Sequence, residues 1–189
     1  MRTVTAVVCA CIVLSIVTVS DARAGGGGTE RISVSIAAGQ LQPRSDLDFV
    51  AAPSFEVSGR ARVAIAGPLG LTGAVSRSVL SRGERIAPVM DLQLGLIMAG
   101  LSVRAHSGPL MLEISGELGT VSLRVSAPKV PRSHHGLAAR AGLAAGLALT
   151  PSLRVGLRID RLRGTVALPQ RRYFDVGGTS LAGFVEARW

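Results

Sequence analysis

Apolar and polar residues alternate one for one through most of this chain, and a period of two restricts those stretches to β-strand. Ile32, Val34, Ile36 and Ala38 share one face against Arg31, Ser33 and Ser35. Phe55, Val57, Ala61, Val63 and Ile65 alternate with Glu56, Ser58, Arg60, Arg62 and Ala64. Met90, Leu92, Leu94, Leu96 and Met98 alternate with Asp91, Gln93 and Gly95, and Leu112 and Ile114 with Glu113 and Ser115. Leu153, Val155, Leu157 and Ile159 face away from Arg154, Gly156, Arg158 and Asp160. Leu181, Val185, Ala187 and Trp189 close the series against Ser180, Glu186 and Arg188.

Gly136 to Thr150, "GLAARAGLAAGLALT", is rich in alanine and leucine, which favour helix, and carries Gly142 and Gly146 at GxxxG spacing. As a helix it is too short to cross a bilayer. As a strand it lines one face with Leu137, Ala139, Ala141, Leu143, Ala145, Leu147 and Leu149, and the strand reading is adopted.

The connections between alternating segments take turns in length. "AGPLG" (66–70), "HSGP" (106–109) and "TPS" (150–152) are short and contain turn residues. "LQPRSDLDFVAAPS", "SRGERIAP", "SAPKVPRSHH" and "RLRGTVALPQRR" are long. Long and short alternate, which makes an even number of antiparallel strands, eight by this count. Two places interrupt the alternation. Met98 and Leu101 share an apolar face only with a slip near Gly100, and Leu118 and Val121 only with another near Gly119. A bulge at each glycine is one reading; additional turns there, making ten shorter strands, is the other.

The N-terminal end reads as an export signal: Arg2, then the apolar run Val4 to Val19, then an A-x-A pattern at Ala22, Arg23 and Ala24. Residues 1–24 are expected to be cleaved and 25–28 to form a glycine linker, leaving 29–189 as one domain. The two cysteines, Cys9 and Cys11, fall within the signal, so the exported part is expected to carry no disulfide and no thiol chemistry. The net charge is +9, supplied almost wholly by arginine, Lys129 being the single lysine. Such a balance suits nucleic acid, but an exported chain with 3% aromatic residues offers few stacking platforms, and no nucleic-acid partner is expected.

Closed barrels are the β-structures that can cross lipid, because every backbone polar group then finds a partner. Their strands alternate apolar-out and polar-in, with short periplasmic turns and longer outer loops. The final stretch, "SLAGFVEARW", resembles the C-terminal strand of bacterial outer-membrane β-barrels, which ends in Phe or Trp with apolar residues at every second position. Those positions are Leu181, Gly183, Val185, Ala187 and Trp189. The resemblance implies that the barrel-assembly machinery reads this strand. From about Thr29 to Trp189 the chain is similar to small eight-stranded barrels of the OmpA/OmpX type, by pattern rather than by a diagnostic motif. The expected fold is therefore all-β, an eight-stranded antiparallel up-and-down transmembrane β-barrel, monomeric, in a bacterial outer membrane. A soluble exported ligand-binding barrel is the competing reading, with the apolar face turned inward.

On the membrane reading Glu56, Arg60, Arg62, Asp91, Glu113, Arg140, Arg154, Arg158, Asp160, Glu186 and Arg188 point into the lumen. Eight strands enclose just enough room for side chains, so these charges are expected to fill it; a narrow gated channel is the alternative. Arg77 shares a face with Leu71 and Val75 and must lie near an interface. The long loops are read as carrying Arg44, Arg82, Arg85, Lys129, Arg132, Arg161, Arg163, Arg171 and Arg172. Arg161, Arg163, Arg171 and Arg172 are the candidate contacts to lipopolysaccharide phosphates, which arginine recognises well. His134 and His135 are adjacent, and side chains at i and i+1 do not share a face of a strand, so no metal site is expected there. Neither catalysis nor a cofactor is expected.

Overall fold

The computed structural model describes residues 31–82, 91–126, 131–168 and 173–189. The segments expected to be an export signal and a glycine linker, together with Arg85, Lys129, Arg171 and Arg172, lie outside the described residues. Eight strands form a closed antiparallel barrel, each paired with its neighbours in sequence and the first with the last. They are β1 (Ile32–Arg44), β2 (Ala51–Ala66), β3 (Leu69–Arg82), β4 (Asp91–Ser107), β5 (Leu110–Ser126), β6 (Pro131–Thr150), β7 (Leu153–Ala167) and β8 (Tyr173–Arg188). A five-residue helix, α1 (Asp46–Val50), joins β1 to β2.

Three connections are two-residue hairpins: Gly67-Pro68, Gly108-Pro109 and Pro151-Ser152. Gly67 and Gly108 adopt φ of 50° and 59°, in the left-handed region where glycine meets no Cβ penalty. Following paired residues around the barrel from Arg163 passes through Ala139, Leu118, Ala99, Gly73, Ala61, Val34 and Ala187 and returns to β7 at Leu153. The displacement from Arg163 to Leu153 is ten residues, the shear of the barrel. With ordinary strand spacings it tilts the strands by about 40°. β4 and β5, at 17 residues each, then rise on the order of 40 Å, well beyond the roughly 25 Å apolar band of an outer-membrane barrel.

That excess length explains the interruptions near Gly100 and Gly119. The register of β4 and β5 runs through both without a shift, so neither is a bulge and the ten-strand reading fails. What changes is the direction the apolar residues face. Near the hairpin end of β4, Leu101 and Val103 are exposed on the outer wall; toward the other end, Leu92, Leu94, Leu96 and Met98 are buried inside. β5 does the same, with Leu110, Leu112, Ile114 and Leu118 outside and Val121 and Leu123 inside. The expectation that Leu92 to Met98 line the outer face is therefore corrected. A strand that leaves hydrocarbon and continues into water must exchange its faces, because the apolar side follows whichever neighbour is not water. The register shifts that do occur are in β2, between Ala52 and Phe55 and between Ala64 and Ala66, and in β6, between Ala148 and Thr150.

The barrel thus has two storeys. In the hairpin half, aliphatic side chains from every strand are exposed outward, among them Ile32, Val63, Leu71, Val103, Ile114, Leu147, Leu157 and Val185. A soluble protein does not carry an apolar belt around its whole girth; such a surface marks contact with lipid. In the loop half the interior is a continuous apolar cluster containing Leu41, Leu80, Leu94, Leu96, Val121, Leu123, Leu162, Val166 and Val176. Leu47 of α1 seals this cluster and is 0% exposed. The helix is latched by Asp46, whose Oδ2 accepts the Asp175 N–H at 2.9 Å. The chain enters it through Ser45, a non-glycine residue at φ 60°.

Candidate functional site

The charged side chains of the hairpin half point inward because their strand neighbours face lipid. Among the described residues Glu56, Arg60, Arg62, Glu113, Arg140, Arg154, Arg158, Asp160 and Glu186 are buried. Arg188 is half-buried at the rim and donates to the Thr150 carbonyl at 3.0 Å. The side chain of Asp91 lies outside the described residues. Two members of the network escaped the sequence reading: Arg104 and Glu117, both buried. The assumed slips near Gly100 and Gly119 hid them. Unbroken alternation from Leu101 and Val103 places Arg104 inside, and from Ile114 and Leu118 it places Glu117 inside.

Arg104 is the hub. Its Nε donates to Glu113 Oε2 at 2.7 Å, and its Nη1 and Nη2 donate to the two Glu186 oxygens at 3.1 and 2.7 Å. Arg154 Nη1 donates to the same Glu186 at 2.6 Å. On the other side Arg60 Nη1 reaches Glu113 Oε1 at 3.3 Å and Ser115 Oγ at 3.1 Å. Arg60 Nη2 lies 3.0 Å from Glu117, and Arg140 closes the chain on Glu117 through a 2.7 Å bond from Nε. The sequence Arg154–Glu186–Arg104–Glu113–Arg60–Glu117–Arg140 crosses the lumen with alternating sign. Arg62 lies beside it, donating to Ser102 Oγ at 3.0 Å and the Pro68 carbonyl at 2.9 Å. Arg158 stacks on the Phe184 ring at 5.2 Å.

Room for these long side chains comes from glycines on the inner wall. A Cβ at Gly70 would stand 2.7 Å from Arg62 Cζ, and one at Gly146 would stand 2.6 Å from Arg154 Cδ. The network supplies charge-assisted bonds in a confined, low-dielectric space, where alternating signs compensate the desolvation of each group. No group of three or more His, Cys, Asp or Glu among the described residues is placed to hold a metal ion.

The outer wall corrects the placement of several basic residues. Arg44 ends β1, Arg82 ends β3, Arg132 lies in β6, and Arg161 and Arg163 lie within β7, so these five are on strands and not in loops. His134 and His135 likewise belong to β6. Arg161 and Arg163 are exposed on the outward face, directly loopward of Leu157 and Ile159. Arg77 is exposed on β3 and donates to Gln93 Oε1 of β4 at 2.5 Å. Leu181, Gly183 and Val185 are exposed on the outward face of β8, with Ala187 half-buried on the same face and Trp189 half-buried just beyond the strand.

No family model matches the chain, and no curated protein matches it. Solved structures do. The chain is similar to Neisserial surface protein A (NspA), at 17% identity and a TM-score of 0.70, over 84% of this chain and 97% of that one. It is similar to Ail, the attachment invasion locus protein of Yersinia pestis, at 17% identity and a TM-score of 0.54, over 85% and 100%. The N-terminal β-barrel domain of Pseudomonas aeruginosa OprF aligns at 12% identity and a TM-score of 0.54, over 85% and 100%. The fold is that of the small eight-stranded outer-membrane barrels.

Proposed function

We propose that this eight-stranded barrel is an integral protein of a bacterial outer membrane, closed to solutes, whose role is structural or one of surface interaction. It acts as a monomer through its outer wall and its loop end. One observation supports the reading: the interior carries buried ion pairs in the lipid-facing half and a buried aliphatic cluster that includes Leu47 in the other. Charges alone would leave a hydrated path; the storey in series with them is mainly aliphatic, with small hydroxyls such as Ser54 and Ser78 among its buried side chains, and offers little to replace an ion's hydration.

Two measurements test this. The protein is expected in the outer-membrane fraction, with an electrophoretic mobility that shifts on boiling in SDS; recovery in the soluble fraction without a shift would instead support a soluble ligand-binding barrel. Reconstituted in planar bilayers it is expected to show no conductance above the lipid baseline, and a reproducible open level would favour a narrow gated channel. The outward face of β8 (Leu181, Gly183, Val185, Ala187), continued by Trp189, is proposed as the signal read by the barrel-assembly machinery. Trp189→Ala is expected to lower the heat-modifiable fraction in cells by several-fold while leaving refolding into detergent intact. An unchanged cellular fraction would remove the assignment.

A further inference from the structure

We infer that Arg161 and Arg163, with the recess beside them on the outer wall, bind a phosphate of lipopolysaccharide in the surrounding leaflet; this rests on the membrane reading above. The alternation of β7 sets Leu157, Ile159, Arg161, Arg163 and Thr165 on one outward face. Leu157 and Ile159 are 62% and 51% exposed and belong to the lipid belt. The two guanidinium-bearing residues follow immediately, about 7 Å apart along the strand. They mark the level at which the wall turns from apolar to polar.

Their surroundings leave them available. Ala139 and Ala141 of β6 pair with Arg163 and Arg161, and Gly177 and Thr179 of β8 pair with them on the other side. Beyond β6, Leu118 and Gly116 pair with those two alanines. Ala139, Ala141 and Gly116 are small beside the larger aliphatics of the wall, Leu118 and Leu137 among them, and leave a shallow recess. It has two adjoining parts of about 560 and 620 Å³, and both arginines line both parts. Arg44 stands at its far rim, and Asp175 is the one carboxylate on the exposed lining of the first part. Among the described residues neither Arg161 nor Arg163 makes an ion pair, in contrast to the inward arginines Arg60, Arg104, Arg140 and Arg154. Arg77, an outward arginine of β3, already has Gln93.

A guanidinium at the edge of hydrocarbon gains most from a partner that brings negative charge on an apolar body. A phosphorylated, acylated lipid has that form: its phosphate meets the arginine pair and its acyl chain descends over the recess onto Ile159 and Leu157. Lipopolysaccharide fits better than a phospholipid on two grounds. The arginines lie toward the longer connections, the end that faces outward in barrels of this architecture. A phosphate monoester also carries about −1.5 to −2 at neutral pH, against a single charge on a diester, and so matches two guanidiniums.

The test uses the full protein refolded in detergent micelles, with lipid A as the probe in phosphorylated and dephosphorylated forms and phosphatidylglycerol as the competing anionic lipid. The intact protein is expected to bind phosphorylated lipid A at least about tenfold more tightly than the dephosphorylated form, the loss of a charge-assisted contact. Arg161→Gln/Arg163→Gln is expected to abolish that difference, whereas Arg124→Gln, also on the outer wall but away from the recess, keeps it. Equal binding of the two lipid A forms by the intact protein, an unaltered preference in the double variant, or phosphatidylglycerol bound as tightly as lipid A would each overturn the assignment. Heat-modifiable mobility of each variant separates the two levels of failure. A protein that folds as a barrel in membranes but ignores the phosphate removes this site alone, whereas one that is soluble removes the membrane reading with it.

Discussion

Arg104→Met is expected to lower the stability of the refolded barrel by about 3–5 kcal/mol, the cost of leaving buried charge uncompensated. Arg104 is bonded to two carboxylates at once, Glu113 and Glu186, each almost wholly removed from solvent. Methionine fills a similar volume and removes the charge, so packing alone does not account for the loss. The single tryptophan, Trp189, follows equilibrium unfolding in denaturant by its fluorescence. Glu186→Gln added to Arg104→Met is expected to cost less than the sum of the two single substitutions, because the Arg104–Glu186 pair is already lost in the first, while Glu186 still serves Arg154 at 2.6 Å. Strict additivity of the two substitutions, or a neutral Arg104→Met, would mean that the lumen holds enough water to screen the network.

Three substitutions in one strand test the two-storey arrangement. Ile114→Arg, on the lipid belt of β5, is expected to cost about 2–4 kcal/mol, and Ser122→Arg, on the same outward face eight residues on, about 0–1 kcal/mol. Leu123→Ala, on the inner face at the level of Ser122, is expected to cost about 2–5 kcal/mol as a cavity in a packed apolar core. Refolding into vesicles with a denaturant titration reads all three. Equal penalties for Ile114→Arg and Ser122→Arg would place both in one environment and refute the exchange of faces.

The architecture was legible because alternation and the rhythm of long and short connections are direct consequences of a meandering sheet. The segment Gly136 to Thr150 shows the pattern outweighing propensity: its alanines and leucines favour helix locally, yet the neighbouring strands take it as β6. The lumenal side of β2, β7 and β8 could be read for the same reason, since Arg60, Arg158 and Glu186 alternate with aliphatics that face lipid. In β4 and β5 the reading failed. A period of two tells that the two faces differ, but not which medium each one meets. Where Leu96 and Met98 give way to Leu101 and Val103, the sequence looks like a register error and the strand is in fact regular. Arg104 and Glu117 were lost with it. Arg161 and Arg163 were misplaced for a different reason: an arginine-rich stretch looks like a solvated loop, and only the pairing of β7 with β6 and β8 puts it on the wall.

The exchange of faces also fixes how deep the molecule rides. Slide the barrel toward the cell interior by one rung of the ladder and Arg161 is drawn into oil; lift it by the same step and a ring of leucines is wetted. Either displacement is opposed on all eight staves together, so the bilayer, being the softer body, must stretch or thin to meet the protein and not the reverse.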